Sequence, residues 1–235
     1  MIVRDKPGVW QLLFAVRGSV LPHIAGTLLA MTAIAAAMVF IDHHFLKLDY
    51  ANATPFALFG AALSLFLGFR NNAAYDRWWE ARKLWGGLIV DIRAFARELV
   101  IFVPNTDLRL HCLRLVLAFV HLHRTQLRKL NPDASAQSAT QAAGLAPEAS
   151  SHDALNALAV LVASAHRAGG IDGFGARALA ARLASFEFQQ ASNERIAGTP
   201  LPYVYSLLVF RTSYLYCLLL PLALIGPAGW LTPLF

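Results

Sequence analysis

The chain has 235 residues, 57% of them hydrophobic and 14% charged, with a net charge of +6 at pH 7. An ordinary soluble domain carries roughly a quarter charged residues, so this composition excludes one and demands that lipid or partners cover the apolar surface. The basic excess lies beside apolar runs, which points to the anionic face of a membrane and away from nucleic acid. Two distant cysteines, Cys112 and Cys217, exclude a disulfide framework.

The N-terminal stretch from Met1 to Arg17 is short and mixed and carries no small-residue cleavage site, so no removable signal peptide is expected. Ile24 to Ile41 is an almost unbroken uncharged run, long enough for a tilted membrane span. A polar connection, 42–54, leads to a second uncharged run, Thr54 to Phe69, short for a span but followed by helix-favouring sequence. Arg4, Lys6 and Arg17 precede the first run, and Arg70, Arg77, Arg82 and Lys83 follow the second. Lys47 alone lies between them. Counting positive charge places the N-terminus and everything after Phe69 in the cytoplasm.

From Tyr75 the pattern changes to an amphipathic helix, with Trp78, Trp85, Ile92, Phe95, Leu99 and Phe102 at helical spacing, ending at Pro104. Arg77 and Glu80, three apart, are placed to pair along that helix. Asp107 is the expected N-cap of a helix over 108–129. Residues 131–151, rich in Ala, Ser, Gln and Pro without an apolar period, read as a flexible loop. Helices follow at 152–167 and 175–196, separated by glycine-rich sequence at 169–175 that reads as a helix–helix connection. Leu201 to Ile225 is apolar apart from Arg211 and reads as a third span. No stretch alternates with period two for long. The expected class is all-α: a transmembrane helical bundle whose long helices extend into a cytoplasmic helical domain. The expected divisions are 1–69, 70–200 and 201–235.

Two stretches carry a family resemblance. One is Phe66-Leu-Gly-Phe-Arg-Asn-Asn-Ala-Ala-Tyr-Asp-Arg-Trp-Trp-Glu-Ala-Arg-Lys-Leu-Trp-Gly86, with its double Trp framed by Arg and Glu at a membrane exit. The other is Asn193-Glu-Arg-Ile-Ala-Gly-Thr-Pro-Leu-Pro-Tyr203, leading into the third span. In this order, with these apolar runs, the chain resembles the bestrophin family of ion channels. The resemblance implies a homopentamer in the plasma membrane, with an axial pore for small inorganic ions: chloride in animal members, small cations in some bacterial ones. It implies a narrow apolar neck at Ala61, Leu65 and Phe69, and an inner cytoplasmic constriction to be sought between Ile171 and Leu183. It also implies a fourth membrane helix and a tail beyond the third span, whereas this chain ends at Phe235.

Spacing agrees with the neck, because residues four and eight apart share a helix face and would form apolar rings around an axis that pass ions only when wetted. Read as residues alone, the same side chains suit ordinary packing or lipid contact, and Ala61, smaller than the bulky aliphatic expected there, suits close helix approach equally. Asn72 and Asp76 either line an inner vestibule or are solvated polar groups at a membrane exit. Trp78 and Trp79 suit the membrane interface. Arg211, a charge inside a span, either attracts anions or is held by a neighbouring subunit's carboxylate or by Tyr hydroxyls.

The histidines show no metal-ligand spacing: His43 and His44 are adjacent, and His121 and His123 diverge on a helix. No cofactor is expected. No nucleophile–base pair or phosphate loop marks an enzyme, and neither paired repeats nor broken helices mark a secondary transporter. The alternative to a channel is a membrane-anchored, non-conducting interaction protein.

Overall fold

The structure, a computed structural model, describes residues 8, 10, 19–45, 47 and 54–234. Arg4, Lys6, Arg17 and most of the expected outer connection lie outside the described residues. Those residues form seven α-helices and a terminal 3-10 helix, with no strand among them: α1 Leu21–His44, α2 Thr54–Phe102, α3 Thr106–Leu127, α4 Ala134–Ala142, α5 Ser151–Arg167, α6 Gly173–Gly198, α7 Tyr203–Ala228 and the 3-10 helix Gly229–Leu234. The class is all-α, as the sequence predicts. The chain divides into two units, 1–71 with 202–235, and 72–201. α2 contributes its first eighteen residues to the former and the rest to the latter.

In the first unit, α1 opens with Pro22, whose missing N–H costs nothing in a first turn. α7 contains Pro221 and Pro227. Its Thr212 and Ser213 hydroxyls bond back to carbonyls one turn earlier, which keeps those polar groups satisfied inside an apolar helix. Gly229, at φ +50°, turns the chain into the 3-10 helix. There Trp230 donates from Nε1 to His43 Nε2 at 3.3 Å and meets that ring edge-on. By length and composition two segments are able to cross a membrane, Leu21–His44 and Tyr203–Leu234. The apolar opening of α2 is not among them. It has sixteen residues before Arg70, against the roughly 20 that a span needs.

The second unit is built on large side chains at helical spacing. Leu88, Phe95 and Leu99 of α2 meet Leu115, Phe119 and Leu122 of α3, Leu158 and Val162 of α5, and Leu179 and Phe186 of α6. The Phe95 and Phe186 rings meet edge-on at 5.6 Å. Each helix start is closed by a side chain. Asn105, and not the expected Asp107, caps α3 by accepting from the Leu108 N–H at 3.0 Å. Ser150 and Asp153 form a capping box on α5, and Asp172 caps α6 through the Gly175 N–H at 2.6 Å. A Cβ on Gly175 would stand 2.7 Å from Phe102 Cβ, so the glycine-rich connection permits a close helix approach.

One expectation is corrected. Residues 131–151 are not a continuous loop but contain α4, capped by Asp133, with Ala136, Ala139 and Thr140 buried. Its apolar stripe is made of alanines, too small to register as a hydrophobic period. Gly144, at φ +71°, closes it.

Candidate functional site

In the membrane unit, α2 has a packed face and a bare one. Gly60 lets Tyr216 of α7 lie against the helix backbone, since a Cβ there would stand 2.6 Å from the tyrosine oxygen. The Phe59 ring meets Tyr216 edge-on at 5.7 Å, Leu63 is buried, and the Tyr205 hydroxyl donates to the Phe66 carbonyl at 3.3 Å. Ala61, Leu65 and Phe69 point away from these partners. Leu65 is 63% and Phe69 61% exposed, and Ala61 is exposed as well. Spaced by four, they form one apolar stripe that nothing among the described residues covers.

Further along α2, Asn72 and Asp76 are also exposed. Tyr75, Trp78 and Trp79 form an exposed aromatic group with ring centroids 5.6 and 5.9 Å apart. The expected pairing of Arg77 with Glu80 does not form. Arg77 donates to the carbonyls of Ile196 and Thr199, and Glu80 accepts from Arg195 at 2.5 Å. A helix C-terminus offers unpaired carbonyls and a partial negative charge, and both attract a guanidinium more strongly than an exposed i, i+3 partner does. The two signature stretches, far apart in sequence, thus lock onto each other.

A second clamp escaped the sequence reading. Arg182 of α6 binds Asp91 at 2.8 Å and Glu98 at 2.7 Å on α2, and Ser185 adds a hydrogen bond to Asp91 at 2.6 Å. The hydrogen bond to Glu98, followed by that to Asp91, pushes the Arg182 pKa up further. Asp91 and Glu98, seven apart on one helix face, were the legible signal. His123 is fully buried between the Phe119 and Trp85 rings, with neither nitrogen hydrogen-bonded among the described residues. Burial lowers its pKa, opposed by the charge of Glu194. Burial also raises the Cys112 thiol to about 11, so it stays protonated. Arg211 is exposed on α7, and no carboxylate among the described residues pairs with it.

The comparisons with known proteins agree with this architecture. A family model described as Bacterial/Fungal Bestrophin protein matches residues 1–235. A voltage-dependent anion channel-forming protein of Mesorhizobium japonicum is 47% identical over 239 residues, covering 100% of this chain and 77% of that one. The voltage-dependent anion channel-forming protein YneE of Escherichia coli is 35% identical, covering 99% and 78%. The crystal structure of a bacterial bestrophin homolog from Klebsiella pneumoniae superposes with a TM-score of 0.79 at 28% identity, covering 90% of this chain and 81% of that one.

Proposed function

The chain belongs to the bacterial and fungal bestrophin family, and from that premise we propose that it is the subunit of an anion-conducting channel in the plasma membrane. Five copies surround an axial pore, and Ala61, Leu65 and Phe69 form its neck. The observation that carries this reading is the bare stripe on α2: two large apolar side chains, more than 60% exposed, on a helix whose opposite face is packed. Repeated around an axis, Leu65 and Phe69 make two apolar rings one helical turn apart, about 6 Å of rise. A constriction of that kind conducts when it wets and blocks when it dries. Ala61 leaves the outer ring wider. The relatives named as anion channel-forming supply the ion sign.

In this reading the chain is multi-pass, with its N-terminus and residues 70–200 cytoplasmic. The apolar opening of α2 crosses the membrane surrounded by its copies, which relaxes the length that lipid would demand. Asn72 and Asp76 line the vestibule just inside the neck. Arg211 meets a group on a neighbouring copy or an anion, because an unpaired charge at that depth costs a few kcal/mol. Phe174, 82% exposed, is the residue to test for the inner constriction. The chain transports ions and performs no catalysis.

The test is conduction by the purified protein in planar bilayers. Wild type gives unitary currents, and Phe69→Ala, which removes one apolar ring, raises open probability or unitary conductance. Silence of both forms, with the oligomer intact in detergent, would sink the proposal in favour of a non-conducting membrane scaffold.

A further inference from the structure

The cytoplasmic part of α2 also has two faces. One is fully used: Arg77 and Glu80 bind the end of α6, Leu88, Phe95 and Leu99 enter the core, and Asp91 and Glu98 hold Arg182. The other carries Asp76, Lys83, Val90 and Arg97, spaced by seven, so they stay within roughly 60° of one line along the helix. All four are exposed, Val90 by 63%. None of the three charged members has a hydrogen-bond or ion-pair partner among the described residues.

Such a face is poorly suited to dry packing against another protein surface. Each unpaired charge taken out of water costs several kcal/mol, and three of the six exposed side chains in this band are charged, with Trp79, Val90 and Ile101 beside them. It is well suited to a water-filled passage. Phe69 of the apolar stripe stands seven residues before Asp76, so the charged line continues the heptad that begins at the neck.

We propose that this face of α2 lines the ion path on the cytoplasmic side of the neck, and that Lys83 and Arg97 attract the permeating anion there while Asp76 opposes it. The proposal rests on the axial-channel reading above. Two positive groups against one negative, repeated by every copy, give the passage a net positive field. A confined aqueous space bounded by protein amplifies that field.

The experiment measures reversal potentials in asymmetric salt for wild type, the double variant Lys83→Gln/Arg97→Gln, Asp76→Asn and the control Arg167→Gln. Arg167 is an exposed cation at the end of α5. The double variant is expected to lower the anion-to-cation permeability ratio roughly tenfold. Asp76→Asn should raise it, and Arg167→Gln should leave it unchanged. Intact conduction with an unaltered ratio in the double variant overturns the proposal while leaving the channel standing.

A second readout does not depend on current. Lys83→Cys is made in a Cys217→Ser background, where the remaining Cys112 is buried. In the assembled protein the new thiol should react promptly with an anionic methanethiosulfonate. A protected thiol, or a Lys83 variant that runs as a monomer, assigns the face to packing between copies and overturns the proposal. Silence of the wild type in bilayers strikes the channel reading, and thiol protection strikes this one.

Discussion

The two units of this molecule are held together by different means. In unit 72–201 the aromatic and aliphatic side chains of four helices close on one another, and every described helix start within it has a side-chain cap. In the unit formed by 1–71 and 202–235, α1 buries Ala35 and Val39, and α7 buries Val209, Pro221, Ala223 and Ile225. A cavity of about 350 Å3, lined by Met31, Tyr214, Cys217 and Leu220 among others, opens between those two helices. Unit 72–201 carries its own core. The unit formed by 1–71 and 202–235 leaves Leu29, Leu58, Leu65, Phe69 and Phe210 largely exposed, and so takes its stability from what surrounds it. One region is self-sufficient and the other is not.

The largest test of that contrast is a matched pair of truncations. Phe186→Ala removes a fully buried ring that meets both Phe95 and Phe119, and should destabilise unit 72–201 by about 3–5 kcal/mol. Phe210→Ala removes a ring that is 57% exposed. It should barely move the unfolding of unit 72–201, while weakening retention of the oligomer in detergent. Hydrogen exchange on the full-length protein resolves the two regions separately. Equal loss of protection in unit 72–201 from both variants would erase the distinction.

Next in size is the Arg182 clamp. Arg182→Met keeps the aliphatic stem but strands Asp91 and Glu98, whose side chains are 10% and 19% exposed. Breaking a fully buried pair costs 3–5 kcal/mol, and the partial exposure here brings the expectation to about 2–3 kcal/mol. Adding Asp91→Asn and Glu98→Gln removes the stranded charges and should recover much of the loss. Thermal unfolding of Arg182→Met, of the Asp91→Asn/Glu98→Gln pair and of the triple variant closes the cycle that checks this. No recovery would mean that Arg182 acts through packing alone.

The sequence made much of this legible, for reasons that can be named. Large apolar residues at helical spacing announced α2 and α3, because each must bury a wide stripe. The helix at 134–142 stayed hidden because its stripe is alanine. The spacing by four of Ala61, Leu65 and Phe69 was visible, but which side of α2 they occupy depends on Tyr205 and Tyr216, more than a hundred residues away. Local reasoning likewise paired Arg77 with Glu80, whereas the end of α6 claims both. Short-range rules find elements. Long-range partners decide which face of an element is left free, and that free face is where a function for this chain is to be sought.

The smallest predicted effect concerns His123 and sharpens the contrast by pH. Burial favours the neutral ring, so the folded pKa lies below the ordinary 6.5 of an unfolded histidine. Between the two values the unfolded chain binds a proton that the native chain refuses, so stability falls as pH falls. The contribution is intact above about pH 6.5, shrinks as pH drops below it, and stops changing once the folded pKa is passed. Asp133 and Asp153, whose pKa values are depressed by Arg124 and by Ser150, lose their contributions only at and below the ordinary carboxylate range near 3.8, so the windows separate. His123→Phe fits between the Trp85 and Phe119 rings and removes the titrating group. The difference in melting temperature between wild type and His123→Phe should therefore change with pH below 6.5 and stay flat above it. A flat difference throughout would mean that water reaches the ring in the native state, and that the core of unit 72–201 is less closed than its packing indicates.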